Sequence, residues 1–550
     1  MSKNLSELAG RKGLQENLFE ELGVAAKRSG TVSKAKMEEL ADKFLIGKGN
    51  VYGTTSFYDF LKEENKGKQV YVCNGSSCMT AGTQDDVRTK LSGVFKDTEI
   101  GEMCCMGRCH ENASFNYKGK NYSGTDIDNI HTIKEGTGKT KEKYNVDSMG
   151  TQILTTMFPG VDYYYTTLAV ALRRSKEDLL HELKESNLRG RGGAGFPIAF
   201  KMNTAKDMDS AIKFVVCNAD EGDPGAYSDR YLLEEQPHSV LLGMMISGYI
   251  IGAETGVLYI RAEYPEAIEI TQKAIDQLRS KKLLGKNILG TGFNYDFKII
   301  KAQGAYICGE ETALLSSIEG QRPEVRVRPP YPAQQGLFNK PTIVNNVETL
   351  ACIPYIIQNG GAKFASIGRG KSTGTKLVCL DGFFNKPGVY EVDMGTPLDT
   401  VIKKLGGGYK KKVKALHIGG PLGGLVPANK TKDLTVDFES FSENGFLLGH
   451  ASVVCLPEEF PIVKYIEHLF QFTAHESCGK CFPCRLGSTR GAELLKKATT
   501  EQYKIDRELF KDLLDTLETG SLCALGGGLP LPVKNALQYF DKELKHYFTK

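Results

Sequence analysis

The chain has almost no excess charge, no long apolar run and no secretory start, and each absence removes a class of function. Its 70 Lys and Arg against 66 Asp and Glu leave a net charge of +4 over 550 residues, too even for a protein built to bind nucleic acid or a membrane surface. The longest apolar stretch, Ser239 to Ala253, is broken by glycines and falls short of the roughly 20 residues that span a bilayer. It reads as a buried helix, and no direct membrane insertion is expected. The opening "MSKNLSELAGRKGLQENLFEE" lacks an uncharged core and a small-residue cleavage site, so the expected location is cytoplasmic. No internal repeat or low-complexity tract stands out. What the chain does have is 14 cysteines in short-spaced groups, which suit metal or cluster ligation better than disulfides.

The length exceeds what one hydrophobic core organises, so several domains are expected. Residues 5 to 63 read as a helical unit, with Met37, Leu40, Ala41, Phe44 and Leu45 on one helical face. A short β pattern, "QVYVC", then leads into the first cysteine group, and "ASFNYKGKNYSG" reads as a hairpin around Lys118 and Gly119. The charged, glycine-bearing "KEGTGKTKEK", Lys134 to Lys143, reads as a linker, so the N-terminal unit is expected to be separable from the rest. Beyond it, "KFVVC", "VLYIR" and "FKIIKA" alternate with helical stretches at 239 to 253, 265 to 282 and 309 to 318. That alternation predicts a layered α/β domain with its sites at the loops after the strands. Residues 375 to 450 carry short strands with "PLDTVIKKLGG" as the one clear helix, and 455 to 550 return to helical periodicity.

Cys478, Cys481 and Cys484 have CxxCxxC spacing, and only Cys523 follows them. Four thiolates in that pattern suit a 4Fe-4S cluster, with structural zinc as the alternative. Cys73 and Cys78, spaced Cx4C, precede "EMCCMGRC". The set read here for a 2Fe-2S cluster is Cys73, Cys78, Cys105 and Cys109, with Cys104 open as an alternative ligand by spacing and zinc as an alternative metal. Cys217, Cys308, Cys352, Cys379 and Cys455 lie among apolar or glycine neighbours and read as small buried side chains.

"GRGGAG", Gly190 to Gly195, matches GxGxxG, but the Rossmann version follows a strand. Here "SKEDLLHELKESNL" precedes it, a helix with a Ser175 and Asp178 cap. Its glycines can still bring backbone N–H groups to a phosphate or a flat ring, and Arg191 adds a bidentate phosphate donor. Two acidic loops, "NADEGDPGAYSDR" and "GAYICGEETALLSSIEG", follow predicted strands. Their carboxylates suit hydroxyl or ring N–H groups, or serve as ordinary acids at helix N-termini.

Together "LRGRGGAGFP", the two acidic loops, "PTIVNNVETL" and "ESCGKCFPCRLG" closely resemble the NADH-binding flavoprotein subunit of respiratory complex I, over about 150 to 550. The same family includes diaphorase subunits of soluble NAD-linked hydrogenases and formate dehydrogenases, some of them electron-bifurcating. Residues 15 to 125, with "VYGTTSFYDF", resemble the thioredoxin-like 2Fe-2S subunit that sits beside that flavoprotein. The resemblance implies a multidomain α/β chain: a helical leader (1–66), a thioredoxin-like 2Fe-2S domain (67–130), a linker (131–150), a Rossmann-like FMN/NADH domain (151–370), a ubiquitin-like β-grasp insert (371–452) and a helical bundle holding 4Fe-4S (453–550).

It further implies FMN cradled by Gly190, Arg191, Gly192, Gly193 and Lys201, with Asn218, Asp220 and Glu221 on the next loop. Tyr306, Gly309, Glu310 and Glu311, then Val344, Asn345, Asn346 and Thr349, complete the set, with Glu310 and Glu311 as the candidate catalytic pair. NADH would stack over the flavin, with adenine held by Phe196 and Tyr331, and Asp223 and Arg328 placed at ribose or phosphate. The chain departs from the family at "FKMNTAK", where an aromatic often follows the lysine and Met202 and Thr204 stand instead; weaker nucleotide binding is the expectation. The implied function is hydride transfer between NAD(H) and FMN, with single electrons passing through the clusters to hydrogenase, formate dehydrogenase or ferredoxin-linked partner subunits. Alternatives are a peripheral-arm subunit of complex I and a non-catalytic, zinc-stabilised redox-sensing subunit.

Overall fold

The computed structural model describes the chain apart from residues 1–5, 8, 11, 12, 15, 125, 137–141, 143 and 550. Its centre is a five-stranded sheet in the order Thr342–Asn346, Phe214–Ala219, Thr255–Ile260, Phe293–Lys301, Gly285–Ile288. The first four strands run parallel and the last pairs antiparallel at the edge. Successive residues of a strand face opposite sides, and here both sides are apolar. Val215, Cys217, Leu258 and Ile260 meet the buried helices Pro237–Ile251 and Val347–Asn359, while Val216, Val257, Tyr259 and Ile300 face the other way.

That second face is closed by the N-terminal leader. Leu18, Phe19, Leu22, Leu40, Phe44, Val51 and Tyr58, from helices Leu18–Ser29, Lys34–Phe44 and Lys48–Thr55 and the turn after them, share one core with the sheet and with helix Glu311–Ile318. The expectation of a separable N-terminal unit is therefore corrected: the leader is one of the two covers of the central sheet. Leu45, expected on the leader's apolar face, is 58% exposed and ends its helix in the left-handed conformation.

A four-stranded sheet, ordered Ile100–Met103, Val70–Cys73, Phe115–Tyr117, Lys120–Tyr122, carries the first cysteine group, and its last two strands form the expected hairpin at Lys118 and Gly119. A six-stranded mixed sheet runs Gly424–Pro427, Val413–Ile418, Ser452–Pro457, Thr375–Leu380, Gly388–Asp393, Asn145–Met149. Its edge strand comes from the stretch read as linker. There Ile130–Lys134 is helical, 137–141 and 143 lie outside the described residues, and 145–149 pairs in parallel with Gly388–Asp393. Within 375–450 a second helix, Phe438–Glu443, accompanies the expected one near Leu398. The C-terminal helices, among them Ile462–Glu476, Ser488–Thr500, Arg507–Gly520 and Pro530–Tyr539, pack around Phe470, Leu495, Phe510 and Leu514. No helix among the described residues is long and apolar enough to cross a membrane.

Candidate functional site

Ser175 caps helix Lys176–Glu185 by accepting from the Asp178 N–H at 3.0 Å, so the glycine loop does follow a helix. The loop closes on itself through the Gly190 N–H bond to the Phe196 carbonyl, 2.9 Å. It lies flat against the last strand of the site: a Cβ on Gly192 would stand 3.0 Å from the Asn346 Cβ. The Arg191 N–H donates to Thr349 Oγ1 at 2.8 Å, and Lys201 donates to the Val344 carbonyl at 2.6 Å. These contacts bring 190–201 and 344–349 together, as the resemblance implies.

The two acidic loops meet across the ends of strands Phe214–Ala219 and Phe293–Lys301. Asn218 Nδ2 donates to the Gly309 carbonyl at 2.8 Å, and the Tyr306 hydroxyl donates to Asp223 at 2.8 Å. The carboxylates divide into two uses. Glu221 accepts from the N–H groups of Asp229 and Arg230, and Glu310 accepts from those of Thr312 and Ala313, so both satisfy helix N-termini that would otherwise leave donors orphaned. Asp220 and Glu311 keep oxygen atoms for other partners. Burial pushes the Asp220 carboxyl well above its ordinary range, and Glu311 pairs with Arg328 at 3.2 Å.

Arg191 differs from the sequence reading. Its guanidinium is 1% exposed and donates to the Thr373 carbonyl, tying the glycine loop to the hairpin that precedes the six-stranded sheet. The side chain is held inside the fold, because an unpaired buried cation would be far costlier than one bonded to a carbonyl. Phe196 and Tyr331 are 46% and 54% exposed, and Met202, at the departure from the family, is fully buried.

The structure adds a residue that carries no sequence signal. His450 Nε2 stands 3.1 Å from the Asp223 carboxylate. Burial pushes that carboxyl up, but the His450 charge and the Tyr306 hydroxyl together hold it below its ordinary value. Buried polar atoms without hydrogen-bond partners remain at Asp220 Oδ2 and Asn345 Nδ2. Native interiors leave few such atoms. Around a cradle of backbone N–H groups and one lysine, they fit a ligand with phosphate and ring hydrogen-bonding groups such as FMN.

Both cysteine groups close. Cys105 Sγ lies 3.4 Å from Cys109 Sγ, and the neighbouring Cys105 and Cys78 push the buried Cys73 thiol well above its ordinary range. The Cys104 carbonyl accepts from Arg261. The Gly225 N–H, from the acidic loop, donates to Cys109 Sγ at 3.1 Å; a Cβ at Gly225 would strike Val454 at 2.6 Å. At the other end, Cys478, Cys481, Cys484 and Cys523 share a small apolar pocket with Ile307, Ala313, Val325 and Leu525. Glu476, two residues before Cys478, accepts the Tyr306 N–H at 2.7 Å, so the segment with the CxxCxxC cysteines is bonded directly to the second acidic loop.

Tetrahedral zinc with Zn–S of about 2.3 Å would draw its sulfurs to about 3.8 Å apart. Among the described residues, the one trio of metal-type ligand atoms within 4.8 Å of each other is Asp59, His475 and Glu476, and the Lys62 ammonium already sits 2.6 Å from Asp59. Among the described residues, no three cysteine sulfurs come that close. Cys217, Cys308, Cys352, Cys379 and Cys455 are buried free thiols.

Comparison with known proteins decides the family. The Nuo51 FMN-binding domain model matches residues 183–355, the NADH-ubiquinone oxidoreductase-F iron-sulfur binding region 464–547, and the thioredoxin-like [2Fe-2S] ferredoxin 6–136. NADP-reducing hydrogenase subunit HndC of Solidesulfovibrio fructosivorans is 44% identical over 69% of this chain and 78% of its own length. An NADH-quinone oxidoreductase subunit of Rhizobium meliloti is 41% identical over 72% of this chain and 95% of its own. The chain belongs to the family of NADH-binding flavoprotein subunits. A chain of an NAD+-reducing [NiFe]-hydrogenase, 27% identical, superposes with a TM-score of 0.85 over 98% of this chain and 95% of that one. This chain joins the family's FMN-binding and 4Fe-4S regions to a thioredoxin-like 2Fe-2S domain, and it is an oxidoreductase module that transfers electrons between NAD(H) and partner subunits.

Proposed function

We propose that the chain is the diaphorase subunit of a soluble, cytoplasmic NAD(H)-linked complex whose partner is a hydrogenase, a formate dehydrogenase or a ferredoxin-linked subunit, some arrangements of which bifurcate electrons. The observation that carries this is the near-complete overlap with the hydrogenase chain, which spans the leader and 2Fe-2S domain as well as the flavin and 4Fe-4S regions. A complex I peripheral arm is the second reading, and it is the weaker because its two corresponding subunits are usually separate chains.

FMN, when bound, takes the two electrons of a hydride and releases them singly, the conversion that joins a nicotinamide to one-electron clusters. In this assignment Gly192 and Gly193 would offer backbone N–H groups and Lys201 its ammonium to the phosphate side, on a loop that the Gly190 bond to Phe196 closes. Asn218, Asp220, Asn345, Asn346 and Thr349 face the isoalloxazine and ribityl groups. Glu311 and Arg328 stand at the nicotinamide nucleotide, and Asp223 accepts from its ribose. Cys478, Cys481, Cys484 and Cys523 hold the 4Fe-4S cluster; Cys73, Cys78, Cys105 and Cys109 hold the 2Fe-2S cluster. The mixed six-stranded sheet, crossed by the helix near Leu398, is the β-grasp insert, enlarged by the edge strand 145–149.

Anaerobic purification of the native complex tests the reading. The expected result is a brown protein with FMN, iron and sulfide, NADH-dependent dye reduction, and a copurifying hydrogenase- or formate dehydrogenase-type subunit. Recovery with a membrane-integral quinone reductase would overturn the soluble assignment.

A further inference from the structure

Strand Thr255–Ile260 of the central sheet is followed by Arg261, which is buried where the flavin domain meets the first cysteine group. One of its terminal nitrogens donates to the Cys105 carbonyl at 2.8 Å and to the Glu221 carbonyl of the first acidic loop at 2.6 Å. The other donates to the Cys104 carbonyl and to the Glu263 carboxylate, both at 2.9 Å. Tyr264 holds this fork in place: its ring lies 5.3 Å from the guanidinium carbon, and its hydroxyl donates to the same Glu221 carbonyl at 3.1 Å. A Cβ at Gly107 would meet that ring at 2.8 Å, so the turn between Cys105 and Cys109 is pressed against it.

Arg261, Glu221, Glu263 and Tyr264 all come from outside the thioredoxin-like domain, and two further contacts follow the same pattern. The Gly225 N–H donates to Cys109 Sγ, and Arg230 donates to the Gly107 carbonyl at 2.7 Å. The two arginines differ in how far their charge is offset. Arg230 pairs with Glu142 and has Glu234 at 3.5 Å. Arg261 pairs with Glu263 at 2.9 Å, while Asp220, 4.0 Å away, is pushed by burial toward its neutral form. A buried cation with one close ionised partner therefore lies against the backbone of the cysteine segment.

We propose that Arg261 is a positioning residue for the 2Fe-2S site: its fork sets the Cys104–Cys105 segment against the first acidic loop, and its charge raises the reduction potential of the cluster. This rests on the 2Fe-2S ligand assignment above and adds the flavin-domain residue that tunes that site. Reduction adds one negative charge there, so a fixed cation in a poorly solvated interior favours the reduced form. Arginine suits the place better than lysine, because a planar fork reaches acceptors on two segments at once. The domain that binds the nucleotide thereby governs how readily the neighbouring cluster holds an electron.

The test is a reductive potentiometric titration of the full-length protein followed by electron paramagnetic resonance, with the 4Fe-4S midpoint of the same sample as reference. Arg261→Gln should move the 2Fe-2S midpoint to more negative potential relative to that reference. The expected shift corresponds to about tenfold or more in the reduced-to-oxidised ratio, or about 59 mV for a one-electron couple. Arg261→Lys, which keeps the charge, should move the midpoint less, and Glu263→Gln, which removes the paired carboxylate, should move it the opposite way. An unchanged midpoint in Arg261→Gln, or an equal fall in Arg261→Lys, overturns the proposal. Where Arg261→Gln assembles no cluster, Glu263→Gln decides: a positive shift upholds the proposal and no shift overturns it. A wild-type protein without a 2Fe-2S signal would overturn the cluster assignment, and the proposal would fall with it for that separate reason.

Discussion

Phe19→Ala tests whether the leader belongs to the flavin domain. Phe19 is fully buried, its ring 4.6 Å from Tyr58, in a core shared with Val216, Val257, Tyr259 and Ile300 of the central sheet. Truncating a buried phenylalanine costs about 3–5 kcal/mol, a large share of the roughly 5–15 kcal/mol that holds a domain folded. At about 2–4 °C per kcal/mol for a domain of this size, the melting point should fall by about 6–20 °C. The assay is thermal unfolding followed at once by far-UV circular dichroism and by the fluorescence of released FMN. Because the leader closes the sheet whose loops form the cradle, both signals should shift together. An early helical transition with flavin release left at its wild-type temperature would show that the leader melts as a separate unit, and would refute the shared-core argument.

Cys104→Ser should leave the electron paramagnetic resonance signal of the reduced 2Fe-2S cluster intact, while Cys105→Ser should abolish it, since Cys105 Sγ lies 3.4 Å from Cys109 Sγ and Cys109 and Cys73 hold its thiol well below the ordinary range. Arg191→Ala should lower FMN content and also the melting point of the FMN-free protein, because it empties a buried site and orphans the Thr373 carbonyl; loss of flavin with unchanged apoprotein stability would mean that the buried contact is immaterial. Burial pushes the His417 imidazole, bonded to Tyr465 and to the Gly423 carbonyl, down to about 4. The unfolded chain takes up that proton near 6.5, so His417 contributes its full share of stability above that pH and loses it as pH falls from 6.5 toward 4, by up to about 3 kcal/mol. Denaturant midpoints at pH 7.5 and 5 should therefore differ more in the wild type than in His417→Gln, and equal differences would assign the pH dependence elsewhere.

The motifs and their chemistry were legible along the chain because they depend on local spacing. CxxCxxC with one later cysteine, the glycine loop after a Ser175-capped helix, and polar loops directly after apolar strands each need only a few residues in order. The alternation of "KFVVC" and "VLYIR" with helical stretches predicted a layered α/β domain, but not what covers each face of its sheet: an apolar strand face accepts any complementary surface, and the leader that fills one face lies some 200 positions away in sequence. The carboxylates show the same limit. Glu221, Glu310, Asp220 and Glu311 look alike in a loop, and only the three-dimensional course of the backbone decides which of them satisfy orphaned N–H groups at helix starts and which face an arginine instead. Arg191 was read as a bidentate phosphate donor on the glycine loop, whereas tertiary packing lays the Thr373 carbonyl over it and makes it part of the interior. Local spacing carries the identity of a ligand set, and the competition among partners for each buried charge is resolved only when distant segments pack.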